Sequence, residues 1–363
     1  MRVDTELIRA LYNARVVGRY AIAKHIADSL HVTVRFALKK LRTLDKVKDL
    51  KLSIEYPLRA FRLKRVAIFI QDENQVKKFI EEVRSSKYYP FVRSIILLVP
   101  VGIGVVYHIP MDIDKDSVPA PKGAFKIEYD EFLRNRTDFK TYGEDSITKV
   151  EVATSWSNFF LLAKKISELY ITENLRLYIS RLKEMNNRYD WADLAIIKEL
   201  EKNPLISLED LSKALGMNLH RIRKHIYNHI IPVIRGIRIK RTPVTKELRT
   251  FALIIGRGSN LDAVYTACTE FVKHPLIIGA TINLETNEFI LQVYISSNIV
   301  RDVIDFFRAL FHEFNFEFIT AFMGVPKATF SIPFIKFREY IPKIKWVWEG
   351  RDEERVERRG LGN

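Results

Sequence analysis

LSKALGMNLHRIRKHI (211–226) decides how this 363-residue chain is read. Leu211 and Leu215 share one face of a short helix, Gly216 with Met217 makes a tight turn, and Asn218 is a good N-cap residue for the next helix. That helix carries Ile222, Ile226 and Ile230 on its buried side. Ser207 with Asp210 resembles a capping pair at the start of the shorter one. Just upstream, 190–202 spaces Leu194, Ile197 and Leu200 for one helical face, and Asn203-Pro204 stops it. Three helices with a tight turn before the third predict a helix-turn-helix.

Downstream, Ile237 and Ile239 alternate with Arg238 and Lys240, which predicts a strand with one apolar and one basic face, the basic face pointing out as in a wing. From 250 the pattern runs strand (251–255), helix (260–273), strands (276–284 and 289–296), helix (299–314) and strand (316–323). This is the βαββαβ order of a ferredoxin-like unit.

An offset of 185 residues lays the chain on itself without a gap, bringing Ile26 onto Leu211, Leu30 onto Leu215, Thr33 onto Asn218, and Ala37 and Leu41 onto Ile222 and Ile226. Leu52 and Ile54 fall on Ile237 and Ile239, and 66–70 falls on 251–255. In the first copy the opening strand, a helix (73–83) and strands at 92–99 and 104–109 recur. The polar, proline-containing 113–123 reads as a loop where the second helix belongs, with a fourth strand at 124–129. The expected class is α+β: two winged helix-turn-helix domains, each followed by a ferredoxin-like βαββαβ domain, the first copy degenerate. The expected divisions are 1–64, 65–140, a helical connector 141–187, then 188–249, 250–330 and a C-terminal extension 331–363.

Charge follows the repeat. Residues 1–64 carry +9 and 188–249 carry +6, the whole of the formal +15, and the rest of the chain sums to zero. Basic charge confined to two matching modules points to a polyanion, most often nucleic acid. The single cysteine, Cys268, lies in an apolar helical pattern and excludes intrachain disulfides and cysteine-rich zinc sites, which fits a reducing cytoplasm. The most apolar stretch, 95–107, is too short for a bilayer span and is broken by Pro100, Gly102 and Gly104, so no membrane partner is expected. Walker, HExxH and nucleophile motifs are absent from the sequence, so no enzymatic activity and no cofactor are expected.

The second copy resembles the leucine-responsive, or Lrp/AsnC (feast/famine), family of transcription regulators. The resemblance rests on Asp190 and Asp193 followed by Ile196, Ile197 and Leu200, on 211–226, and on a strand leading into βαββαβ; it spans about 190–323. More loosely it covers 4–130, through Asp4, Leu7, Ile8, Leu11 and IADSLHVT (26–33). It implies dimers whose αβ domains pair and whose winged helices grip DNA, so this tandem chain would be a pseudo-dimer. In the turn between the second and third strands, GluThrAsnGlu (285–288) replaces the family's glycine and aspartate, so an amino-acid effector is not implied and any small-molecule effector stays open.

On this reading the partner is double-stranded DNA, with further homodimerisation through the αβ domains. The alternative is binding to RNA, the ribosome or the transcription machinery. The contact residues expected are Arg35, Phe36, Lys39 and Lys40 in the first copy and Asn218, His220, Arg221 and Lys224 in the second, at the start of each third helix. Arg221 suits a guanine edge, and Lys46, Lys48, Lys51, Arg235, Arg238 and Lys240 suit flanking phosphates as wing residues. His225 and His229, four apart on one helix, could bring two imidazoles to a metal. With no acid or cysteine near them in sequence, packing or phosphate contact is expected instead, and the metal assignment is none. GlyArgGly (256–258) after a strand resembles a dinucleotide turn, but Leu261 stands where the third glycine belongs.

Overall fold

The helix ends follow their capping residues in the computed structural model, which describes residues 5–45, 50–85, 91–111, 113–143, 155–169, 172–184, 190–241, 250–295 and 298–329. Three helices come first: α1 (Thr5–Tyr12), α2 (Arg19–Leu30) and α3 (Val34–Asp45). Strand β1 (Leu50–Glu55) leads into β2 (Leu63–Ile70), α4 (Glu73–Ser85), β3 (Val92–Val99), β4 (Ile103–Pro110), β5 (Phe125–Tyr129) and β6 (Glu131–Arg134). A single 3-10 turn, Lys115–Ser117, occupies the loop where the first copy lacks its second helix.

The connector forms the short α5 (Phe139–Tyr142), then α6 (Trp156–Ser167) and α7 (Glu173–Glu184). The second three-helix unit is α8 (Trp191–Lys202), α9 (Leu208–Leu215) and α10 (Leu219–His225), followed by β7 (Gly236–Arg241). It continues as β8 (Phe251–Arg257), α11 (Leu261–Phe271), β9 (Ile277–Ile282), β10 (Glu288–Tyr294), α12 (Val300–Glu313) and β11 (Glu317–Thr329).

The repeat is visible in backbone detail. Thr33 Oγ1 accepts the amide of Phe36 at 3.2 Å, and at the matching place Asn218 Oδ1 accepts that of Arg221 at 2.8 Å. His31 and Gly216, also 185 apart, both end their helices in the left-handed region, at φ 53° and 61°. Glycine takes that conformation without a Cβ penalty and histidine does not. After α10 the backbone widens into a π turn over Ile226–Ile230. Apolar residues every fourth position drift around an α-helix, and the wider turn keeps Ile222, Ile226 and Ile230 all buried.

Among the described residues all strand pairs are antiparallel. Nine strands lie in the order β5-β2-β4-β3-β11-β8-β10-β9-β6. Strand β11 pairs with β8 through its first half and with β3 through its second, extending past the 323 expected from sequence to Thr329. In the first copy the same hand-over is split at Asp130: β5 pairs with its own β2, then β6 pairs with β9 of the other copy. Each αβ half therefore completes the other's sheet. The apolar layer between them includes Phe69, Ile96, Phe251, Leu253 and Phe322.

Strands β1 and β7 form a separate two-stranded sheet in which Ser53 faces Arg238, its equivalent in the repeat. The local two-fold passes through that pair. One hydrophobic core joins the first αβ half (Val66, Phe79, Tyr107) to the second three-helix unit (Ile197, Ile222, Ile226), and another holds the first three-helix unit together with Leu205 and Ile237. The molecule is α+β with antiparallel sheets. Among the described residues no helix is long and apolar enough to cross a membrane.

Candidate functional site

A cavity of about 760 Å³ opens where α1, the chain after β6, α7, the segment before β7 and α11 converge. Its wall carries seven cationic side chains, Arg9, Arg15, Arg134, Arg136, Arg181, Arg235 and Lys273, against the two acids Glu55 and Asp138. Tyr12, Tyr178, Tyr265, Leu133, Leu175 and Val272 supply apolar and aromatic surface between them.

Some of these cations have protein counter-charges. Arg235 is held in a fork by the fully buried Glu131, with Nη2 at 2.9 Å from Oε2 and Nη1 closer still to Oε1. Arg136 pairs with Glu55 at 3.0 Å, Arg9 with Glu6 at 3.1 Å, and Lys273 with Glu270. Arg15, Arg134 and Arg181 have no ion pair among the described residues.

Behind Arg134 lies a second group of buried cations. Arg65 (β2), Arg93 (β3) and Arg238 (β7) gather with Arg134 around Glu201 of α8, whose carboxylate takes the Tyr56 hydroxyl at 2.9 Å and Arg93 at 3.3 Å. Burial pushes the Glu201 carboxyl up, but Arg93, Arg134 and Arg238 and the tyrosine hydrogen bond outweigh it, and it sits below its ordinary value. Burial drives Arg238 down to about 10, with Glu201 and Glu55 opposing. Arg134 is held far below the usual guanidinium value by burial first and then by repulsion from Arg238 and Arg65. Arginine does not shed its proton in proteins, so that depression reads as an electrostatic cost carried by a charged group. Its guanidinium lies over the Phe132 ring at 4.2 Å, which offsets part of that cost. His108 accepts from Arg65 and is kept neutral by burial and by Arg65, Arg93 and Arg134.

Two hydroxyls on the cavity wall stay protonated. Burial raises Tyr178 and Tyr265, and the carboxylate of Glu131 adds to it. Their rings meet edge to face at 5.9 Å, with Arg235 above Tyr178 at 5.7 Å.

The residues expected to touch DNA divide into four sets. Arg35, Phe36, Lys39, His220, Arg221 and Lys224 do lie on exposed helix faces, and Lys40 stacks on Phe36 at 5.4 Å. Asn218 spends its side chain on the cap of α10. Lys46 and Lys48 fall outside the described residues, as do the side chains of Lys51 and Lys240. Arg235 and Arg238 correct the wing expectation: β1 and β7 pair with each other, and the two arginines turn inward onto Glu131, Glu201 and Ser53. Strand alternation separates two faces without saying which is covered. Strands β3 and β9 are paired by β11 and β6 of the same chain, which places β5 and β6 at the ends of the sheet. Cys268 is buried, and Gly256 packs beneath the Phe289 and Phe311 rings, which leaves no room there for a nucleotide.

Sequence reasoning missed Arg134 and Arg136. Their signal is faint: two arginines two apart at the end of a short alternating strand (EFLRNR, 131–136), which share one side.

No family model matches the chain, and neither does any curated protein. Two solved structures are similar to it, both of siroheme decarboxylase NirDL. One is 10% identical with a TM-score of 0.49. The other, in complex with an iron-uroporphyrin III analogue, is 9% identical with a TM-score of 0.48. Each alignment covers 93% of this chain and 97% of the solved one. Both are named for an enzyme, against which stand the expectations of transcription regulation, of double-stranded DNA as partner and of no enzymatic activity; those expectations are not carried further. Kinship with the Lrp/AsnC family stays a resemblance.

Proposed function

We propose that the cavity binds a large organic polycarboxylate with an apolar body, and that the protein acts on it. The observation that carries this is Arg134, a guanidinium at the cavity wall with three other arginines near it and no ion pair of its own among the described residues. A buried cation without a partner is costly, and a ligand carboxylate at Arg134, Arg15 and Arg181 would supply the missing counter-charge through paired, charge-assisted hydrogen bonds. Tyrosine and leucine surface between the cations suits a broad apolar body, and the cavity's size suits a macrocycle better than a simple dicarboxylate.

The chemistry available to such a ligand is proton donation. Tyr178 and Tyr265 both keep their protons, and decarboxylation is a reaction that needs a donor. The bond from carbon to the carboxyl group breaks, CO2 leaves, and the carbon left with the electron pair takes a proton from Tyr178, which recovers one from water. Architecturally, we read the halves as two winged helices and two ferredoxin-like units, with the divisions expected from sequence.

A uroporphyrin, a polycarboxylated macrocycle, is the probe. Its absorbance should shift on titration into the protein, with an affinity that falls as salt rises. Arg134→Gln should weaken it, and Tyr178→Phe should leave binding intact while abolishing any CO2 loss seen by mass spectrometry. Absence of binding at low salt would sink the reading, as would equal binding by the Arg134 variant.

A further inference from the structure

Asp193, His225 and His229 converge in the second three-helix unit, away from the cavity just described. Asp193 stands in the first turn of α8 with its side chain fully buried. His225 Nδ1 lies 2.8 Å from its Oδ1, and His229 Nδ1 lies 3.0 Å from both Oδ1 and Oδ2. The three groups each turn one ligating atom inward, all within 4.8 Å of one another. The acid that the two histidines lack in sequence arrives from 32 residues upstream.

We infer that these residues form a binding site for a divalent transition-metal ion of the zinc class, with the two Nδ1 atoms and one Asp193 oxygen as ligands. Two imidazoles and a carboxylate are the donor set such ions take, and three protein ligands leave a fourth position open. Ligands about 2.0–2.1 Å from a tetrahedral ion stand roughly 3.3 Å apart, so the present separations of 2.8–3.0 Å need to open by a few tenths of an ångström. The supporting groups are in place: the Asp190 amide donates to Asp193 Oδ2 at 2.9 Å and fixes the carboxylate. The π turn after His225 brings His229 onto the same carboxylate. His229 is a third exposed, which gives an ion a way in.

The repeat supplies an internal control. At the offset of 185 the same three positions hold Ile8, Lys40 and Leu44; Ile8 and Leu44 are buried, and Leu44 packs in the apolar core of the first three-helix unit. The fold therefore does not require the triad. An ordinary hydrogen-bonded cluster would leave its presence in one copy without a purpose.

The full-length protein, stripped with a chelator and dialysed, is titrated with cobalt(II) and then zinc(II). One cobalt per chain is expected, with the intense visible bands of a four-coordinate ion, displaced by one zinc. His229→Gln, at a third-exposed position, should keep the far-ultraviolet dichroism and weaken zinc by more than about 100-fold, beyond the loss expected for a merely supporting group. Asp193→Asn should do the same. Cobalt remaining six-coordinate, or zinc affinity unchanged in His229→Gln, would overturn the inference. Uroporphyrin binding in the same preparations reports on the arginine cavity independently.

Discussion

The two three-helix units have one backbone plan and two different interiors. Where the first has Ile8, Val16, Leu44 and Ser53, the second has Asp193, Glu201, His229 and Arg238. The cap of the third helix, the turn and the apolar face agree between them, down to the left-handed residue at 31 and 216. At three of these four positions the first copy shows that apolar residues satisfy the fold. The ionic groups of the second are therefore an addition with a stability cost, and two of them, Glu201 and Arg238, stand directly behind the cavity.

The sharpest way to break this contrast is Glu201→Gln. Removing the carboxylate leaves Arg93 and Arg238 facing each other without it, and breaking a buried pair in this way costs about 3–5 kcal/mol. Denaturant unfolding measures the loss, and bound uroporphyrin should restore part of it.

A histidine tells how much of the cost comes from charge that cannot be shed. His274, fully buried between Tyr142 and Phe159, is lowered by burial to about 3 and stays neutral, unlike Arg134. The unfolded chain binds that proton below about pH 6.5 and the folded chain does not. Its contribution to stability is present above pH 6.5 and is lost as pH falls towards 3, by roughly 1.4 kcal/mol per pH unit within that window. His274→Asn keeps an acceptor for the Leu276 amide, now held by Nδ1, and should flatten the slope of stability against pH. An unchanged slope would mean that His274 is protonated in the fold.

Arg134→Gln separates binding from stability. Uroporphyrin affinity should fall about 10- to 100-fold, equivalent to about 1.4–2.7 kcal/mol, while the melting temperature of the free protein holds or rises because a costly buried charge has gone. A fall in both would make Arg134 a structural residue.

His31→Gly copies the second unit's solution into the first and should stabilise the protein by about 0.5–1 kcal/mol, read as a higher denaturation midpoint. Smallest of all, Arg221→Ala on its exposed face should change stability by less than about 0.5 kcal/mol and leave uroporphyrin binding alone.

Much of the fold is legible locally. Ser207, Asn218 and Gly216 mark helix ends by chemistry that acts within four residues, and each does so in the structure. The strand and helix order of 250–323 and the helical character of the connector follow from periodicity. The site is far less legible. Asp193 meets His225 across 32 residues, Arg235 meets Glu131 across 104, and Arg136 meets Glu55 across 81. No spacing rule reaches that far.

By itself, then, the sequence determined the elements, their caps, the 185-residue duplication and the amount of charge in each copy, because hydrogen bonding within a turn and the periods of helix and strand are local. Only the tertiary structure decided which way that charge faces. Arg238 and Lys240 alternate with Ile237 and Ile239 whether the basic face meets solvent or protein. Pairing β7 with β1, and handing β6 and β11 across to the opposite half, turned Arg238 towards Glu201 and set Arg134 on a cavity wall. Those pairings are long-range contacts, settled by which surfaces can be buried together.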